Sequence, residues 1–193
     1  MAKFLPMQAA LKHDFVTVED YLSGEETSRV KHEYIGGAVF AMAGSTSDHN
    51  QIGLNLAFAA RPRLKGKPCK LFIFDFKLRI QIAQEDVLYY PDIMVGCDPR
   101  DTHTLYLRFP KLLVEISSDS TERLDRGEKL LAYQTIETLE EYLIVSQDRP
   151  HVTIFRRSNN WTAEVLTALN EAVILRSVDL SLPLSSIYDG VAV

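Results

Sequence analysis

Two acidic residues stand where acidic residues are costly. Glu115 lies inside "LLVEISS", an apolar run that reads as a buried strand. Burying an ionised carboxylate there costs several kcal/mol unless a partner compensates it. Asp92 follows Pro91 in "YYPDIMVG", at the entry to a second apolar run. Proline cannot donate to a sheet ladder, so this point is an edge, a bulge or a strand start. The two carboxylates are 23 residues apart, and the turn-rich loop "DPRDTHT" between their strands can return the chain and make the strands neighbours. Carboxylates converging from adjacent strands repel, and a divalent cation removes that repulsion. Mg²⁺ is held by one or two carboxylates and keeps its remaining positions for water and phosphate oxygen. Such a site polarises a phosphodiester and activates water. The same residues also allow a structural reading, with Asp92 capping a turn and Glu115 paired with Arg79 or Arg123.

Phosphoryl chemistry needs a cation beside the carboxylates. In a Glu-x-Lys strand the lysine shares the glutamate's face, since residues i and i+2 point the same way. Here that position is Ser117. Lys129, 14 residues beyond Glu115 on a predicted helix, is a substitute if the helix folds back over the sheet. Asp125 and Lys129 also have the i,i+4 spacing of an exposed helical ion pair, which contributes little. Lys77 in "FDFKLRI" is a second source of charge, and alternation places it on one face with Asp75 and Arg79. Glu33, before the Gly36-Gly37 turn, and His49, at a predicted helix start, are further candidates. Arg61, Arg63, Lys65, Lys67 and Lys70 form a basic cluster that either holds backbone phosphates or is a solvated helix end.

These residues need elements to position them. "TVEDYLSG" predicts a short helix capped by Thr17 and ending at Gly24, and "KHEYIGGAVFAMAG" predicts a hairpin about Gly36-Gly37. "STSDHNQIGLNLAFAARPRLKGK" predicts a helix ended or kinked at Pro62, with Ile52, Leu56, Ala59 and Ala60 on its apolar stripe and Leu54 and Phe58 widening it. "CKLFIFDFKLRIQI", "DVLYYPDIMVG" and "KLLVEISS" read as strands. "STERLDRGEKLLAYQTI" reads as a helix capped by Ser120 or Thr121, with Leu124, Leu131 and Ile136 inward. "LEEYLIVSQDRPHVTIFRRSNNWTAEVLTA" reads as a strand meander turning at 148–150 and 158–160. The order implies an α/β or α+β fold with a central mixed sheet.

The chain has 193 residues, enough for one domain with its own core, and 46% of them are hydrophobic and 24% charged. No apolar run approaches the length of a membrane helix, and Met1–Leu11 lacks the pattern of a secretory signal. The expectation is a cytoplasmic protein, with Cys69 and Cys97 as free thiols. The net charge of −5 gives no sign of general nucleic-acid affinity, although a metal-binding nuclease needs only a local basic patch.

Taken in order, "KHEYIGGAVFAMAGSTSDHNQI", "YYPD", "LLVEISSDSTERLDRGEKLLAYQ", "LEEYLIV" and "LSLPLSSIY" resemble the Uma-two family of endonucleases, within the PD-(D/E)xK restriction-endonuclease-like superfamily. The resemblance spans about residues 16–188 of a single domain, 1–193. It implies a restriction-endonuclease-like core of mixed sheet flanked by helices, and commonly a dimer. It also implies Asp92 and Glu115 as Mg²⁺ ligands, with Mn²⁺ as a substitute. Lys129 becomes a catalytic lysine moved from strand to helix, Glu33 a supporting acid and His49 a site residue. The chain then reads as a Mg²⁺-dependent endonuclease acting on DNA. The rivals are a binding module that keeps the fold without cleavage and a hydrolase of other phosphoesters, because a fold does not fix an activity.

Overall fold

The computed structural model describes residues 15–118 and 122–193. In chain order it contains α1 (Val18–Thr27), β1 (His32–Ile35), β2 (Ala38–Ala41), α2 (Ser47–Leu64), β3 (Lys70–Ile73), β4 (Lys77–Ile82), β5 (Glu85–Tyr89), β6 (Ile93–Gly96), β7 (Tyr106–Leu107) and β8 (Pro110–Ser117). There follow α3 (Glu122–Leu124), a π-helical turn (Asp125–Lys129), α4 (Leu130–Gln134), β9 (Glu141–Ser146), β10 (Val152–Arg156), β11 (Glu164–Leu166), β12 (Ala172–Leu175), β13 (Leu180–Pro183) and α5 (Leu184–Ile187).

The expected mixed sheet is the six-stranded one, in the order β11-β10-β9-β8-β6-β3. Its β8–β9 pair is parallel and the remaining pairs are antiparallel. Parallel neighbours need a crossover, and here the crossover carries α3, the π turn and α4. A second mixed sheet, in the order β2-β1-β5-β4-β7, accompanies it, with a β12–β13 hairpin beside them.

Strand alternation sorts β8 between two cores. Leu112, Val114 and Ile116 pack with Ile52, Leu56 and Ala60 of α2. Leu113 packs on the other side with α4 and with Leu78, Ile80, Val87 and Tyr89 of the second sheet. The far face of that sheet is covered by Val18 and Tyr21 of α1. Gly53 lets α2 lie close to the sheet: a Cβ there would collide with the Phe74 ring and press on Ile116.

Several local expectations change. The first helix keeps its Thr17 cap but runs past Gly24 to Thr27. Pro62 sits in the last turn of α2, where the helix is about to end. Leu54 and Phe58 do not widen its core stripe; they are 55% and 79% exposed, because the sheet meets only the Ile52–Leu56–Ala60 face. "CKLFIFDFKLRIQI" breaks into β3 and β4 because Phe74 takes a positive φ of 57°. Asp75 therefore leaves the strand that carries Lys77 and Arg79. In the second long helix Leu124 and Leu131 are exposed, since Asp125, Lys129, Ala132, Tyr133 and Ile136 take the inner face. Its expected caps, Ser120 and Thr121, lie outside the described residues.

The free-thiol expectation is overturned. Cys69 and Cys97 form a disulfide with Cα atoms 4.1 Å apart. The antiparallel register pairs Lys70 with Gly96, which brings the flanking cysteines opposite one another. Among the described residues no helix is long and apolar enough to cross a membrane.

Candidate active site

The antiparallel register of β6 and β8 pairs Ile93 with Val114, so Asp92 enters its strand beside Glu115. Pro91 supplies no donor at that point, and the Asp92 side chain continues the ladder: Oδ2 accepts the Ile116 amide at 2.6 Å. Its carbonyl accepts from the Phe74 amide at 2.9 Å. Oδ1 lies 3.1 Å from His49 Nε2. His49 is held in the first turn of α2, where its amide donates to the capping Thr46 Oγ1 at 3.1 Å. The ring packs tilted on Phe74, and its Nδ1 is buried without a hydrogen-bond partner among the described residues.

Glu115 is 4% exposed and projects on the Leu113 side of β8, under the crossover. Its Oε1 accepts Tyr133 OH at 2.6 Å and Lys129 Nζ at 3.2 Å. Lys129 Nζ also lies 3.2 Å from Glu33 Oε1 and 3.5 Å from Asp125 Oδ1. Ser117 Oγ donates to Asp125 Oδ2 at 2.5 Å. The strand position of a Glu-x-Lys lysine is thus hydrogen-bonded to the acid that touches the helical lysine. The spacing's alternative of an exposed Asp125–Lys129 pair is overturned, because both residues are buried.

Three carboxylates, Glu33, Glu115 and Asp125, surround one lysine, and a fourth, Asp92, lines the same cleft. Burial pushes the Glu115 carboxyl well up; Lys129 opposes this, while Asp125 and Asp92 add repulsion. Burial likewise raises Asp125, against the pull of Lys129 and Ser117. For Lys129, burial works against the charge, yet Glu115, Glu33 and Asp125 outweigh it and raise the ammonium above its ordinary value. Neighbouring acids shift Glu115 and Lys129 in one direction, which is the signature of excess negative potential. The Tyr133 hydroxyl is raised by burial and then by Glu115, so it stays a donor.

The cluster forms the floor of an open cleft of about 540 Å³, walled by residues 40–46, Leu124 and Gln147. Among the described residues no three His, Cys, Asp or Glu side chains are grouped as a metal cage. Mg²⁺ does not require one, since one or two carboxylates with water suffice. Asp92 and Glu115 are hard oxygen donors lining the same cleft in an acid-rich setting, and their chemistry fits such an ion.

Asp92, Glu115, Lys129, Glu33 and His49 therefore meet in one place, although the sequence put them on separate elements. Lys77 does not join them: its Nζ lies 5.1 Å over the Tyr90 ring in a different pocket. Asp75 is exposed and paired with Lys31. Arg79, the rival partner for Glu115, is bonded instead to Asp86 at 2.8 Å and to Tyr106 at 3.0 Å. Arg123, the other rival, is exposed. The basic cluster begins with Arg61 in the last turns of α2, about 18 Å from His49 along the helix at 1.5 Å per residue. Tyr133 was not foreseen; its signal is its position four residues after Lys129, on the same helical face.

Comparisons with known proteins bear on the fold and the family. An uncharacterized protein of Synechocystis sp., slr1290, is 35% identical over 176 residues, covering 90% of this chain and 92% of its own. A second, sll1609, is 31% identical over 135 residues, covering 68% and 75%. A crystal structure from Anabaena variabilis, described as "a putative nuclease belonging to DUF820", superposes with a TM-score of 0.69 at 16% identity, covering 86% of this chain and 96% of that one. The shared fold is the restriction-endonuclease-like one. A family model described as "Putative restriction endonuclease" matches residues 18–185, and the chain belongs to that family, Uma2.

Proposed function

We propose that the protein is a Mg²⁺-dependent endonuclease that hydrolyses phosphodiester bonds of DNA. The observation that carries this reading is the convergence of Glu115, Asp125 and Glu33 about Lys129, with Asp92 lining the same open cleft. Family membership supports nuclease chemistry. Asp92 and Glu115 would hold the ion, which when bound polarises the phosphodiester and makes its water a better nucleophile. His49 and the Ile116 amide fix the rotamer of Asp92. Tyr133 fixes Glu115 from the helix side. Lys129 keeps its proton among the acids and supplies positive charge for the oxygen on which charge develops. Glu33 steadies the ammonium from the second sheet.

A non-cleaving binding module is the rival. It places no demand on the lysine, whereas Lys129 is turned inward onto Glu115. The test is nicking of supercoiled plasmid by purified protein in Mg²⁺, Mn²⁺ or EDTA, beside Asp92→Ala and Lys129→Ala. Metal-dependent nicking lost in both variants is expected. Wild-type protein no more active in Mg²⁺ than in EDTA would sink the proposal. RNA and a small phosphodiester assayed in parallel separate a DNA nuclease from other phosphoesterases.

A further inference from the structure

The floor of the cleft repels phosphate. It holds four carboxylates and one lysine whose charge three of them already engage. Affinity for a polyanion must then arise beside the floor. The cluster at residues 61–70 begins about 18 Å from His49 along α2, too far to hold a phosphate next to the one being cut.

A smaller pocket of about 290 Å³ lies much closer and shares a wall with the cleft. That wall is Tyr90, two residues before Asp92, which lines both cavities. The Tyr90 hydroxyl donates to Glu25 Oε2 at 2.7 Å, and Glu25 Oε1 lies 2.7 Å from His32 Nδ1. Glu25 is thus committed to holding the wall in place. Three cations line the pocket: Arg29, Lys31 and Lys77. Lys77 Nζ stands 5.1 Å and Lys31 Nζ 5.9 Å over the Tyr90 ring. The acids that line it are Glu25 and the exposed Asp75, which pairs with Lys31. Burial holds the Lys77 ammonium below its ordinary value, against the pull of Glu25 and Glu26, so its charge is incompletely solvated.

One residue connects the two cavities. The Phe74 amide donates to the Asp92 carbonyl at 2.9 Å, and the Phe74 carbonyl accepts Lys31 Nζ at 3.3 Å. With one residue between these bonds, Lys31 Nζ is on the order of 10 Å from the Asp92 main-chain carbonyl. That is about three nucleotides along a strand at a rise of 3.4 Å each.

We infer that the Arg29–Lys31–Lys77 pocket is a phosphate subsite that grips the nucleic-acid backbone flanking the bond held in the cleft, with Tyr90 as the partition between them. The inference rests on the nuclease reading for the identity of its ligand. Lys31 exchanges its exposed partner, Asp75, for phosphate, and Lys77 adds a direct anionic contact to the longer-range pull of Glu25 and Glu26.

The test is anisotropy of a labelled single-stranded oligonucleotide titrated with the full-length protein in EDTA, where no cleavage intervenes, across a salt series. Lys31→Gln with Lys77→Gln should weaken binding and lower the slope of log K against log salt by at least about 0.7, the contribution of one phosphate on a single strand. Lys31→Arg with Lys77→Arg should retain the slope, which excludes a folding defect. Lys65→Gln with Lys67→Gln, at the far end of α2, should change it little. An unchanged slope in the Lys31/Lys77 glutamine variant overturns the subsite. So does binding in which inorganic phosphate saturates the pocket while the oligonucleotide is indifferent to both lysines. The two readings fail separately. Plasmid nicking with an unaltered KM in the glutamine variant removes the subsite and leaves the nuclease. Lysine-dependent binding without any nicking removes the nuclease and leaves a nucleic-acid site.

Discussion

Lys129→Met in the metal-free protein isolates the electrostatics of the cluster. The ammonium lies 3.2 Å from Glu115, 3.2 Å from Glu33 and 3.5 Å from Asp125, with its side chain 8% exposed. At an effective dielectric near 20, each contact is an attraction of about 5 kcal/mol before desolvation. Desolvation of the ions offsets much of this, and removing one member of a buried ion pair usually costs about 3–5 kcal/mol net. For a chain of this length that lowers Tm by roughly 6–20 °C. Methionine fills similar volume, so the loss reports charge and not a cavity. The sign of the pH dependence follows from Glu115 and Asp125, whose carboxyls are raised by burial. An acid with a raised folded pKa contributes stability that is present below its unfolded pKa and is lost as pH rises. Without the lysine both carboxyls rise further, so the deficit of Lys129→Met should be larger near pH 8 than near pH 5. Adding Glu115→Gln should restore part of it. The assay is thermal unfolding in EDTA at both pH values. A Tm loss under about 2 °C, or a double variant no more stable than Lys129→Met alone, would refute this account of the site.

Two further outcomes follow from other contacts. Ser117→Ala removes the donor to buried Asp125 Oδ2, and a double-mutant cycle with Asp125→Ala should give a coupling of about 1.5–3 kcal/mol by urea unfolding; a coupling below about 0.5 kcal/mol would show the two residues to be independent. His151 is held below its ordinary value by burial and by Arg126 and Arg149, so the stability it contributes is present above its unfolded pKa and lost as pH falls through its folded one. His151→Gln should therefore show a shallower fall in urea midpoint below about pH 6.5 than wild type, and parallel curves would count against the assignment.

Some of this architecture is written in local sequence. Pro91-Asp92 marks a strand start because proline forbids a ladder donor, and "LLVEIS" marks a buried strand because its apolar residues run on both faces. Thr17 announces a helix start through its capping hydroxyl. Other features depend on tertiary pairing. The i,i+4 spacing of Asp125 and Lys129 suits an exposed helix as well as a buried π turn, and only Glu115 beneath it turns the pair inward. The apolar character of Leu54, Phe58, Leu124 and Leu131 suggested a core that the sheet does not reach. The disulfide required the β3–β6 register, which a separation of 28 residues does not reveal. The second sheet is built from short strands, one of only two residues, with little periodicity to read.

Moving the lysine from strand to crossover changes what the site depends on. A Glu-x-Lys pair on one strand is positioned as soon as that strand pairs. Here Glu115 comes from β8, Lys129 from the π turn, Asp92 from the entry of β6, His49 from α2 and Glu33 from β1 of the other sheet. Ser117 gives up the lysine's position and instead bonds Asp125, which fixes the π turn against β8. Tyr142 OH adds a 3.1 Å bond to the Asp125 carbonyl from β9, the strand to which the crossover leads. A π turn is rarely retained without a role, and here it holds Asp125 and Lys129 together over the sheet. The cluster can therefore assemble only after β8, the crossover, β9 and the second sheet have docked. Unpaired buried carboxylates would oppose any partly docked state that brings the acids together without Lys129. Completing the site and completing the fold are, on this geometry, one cooperative event.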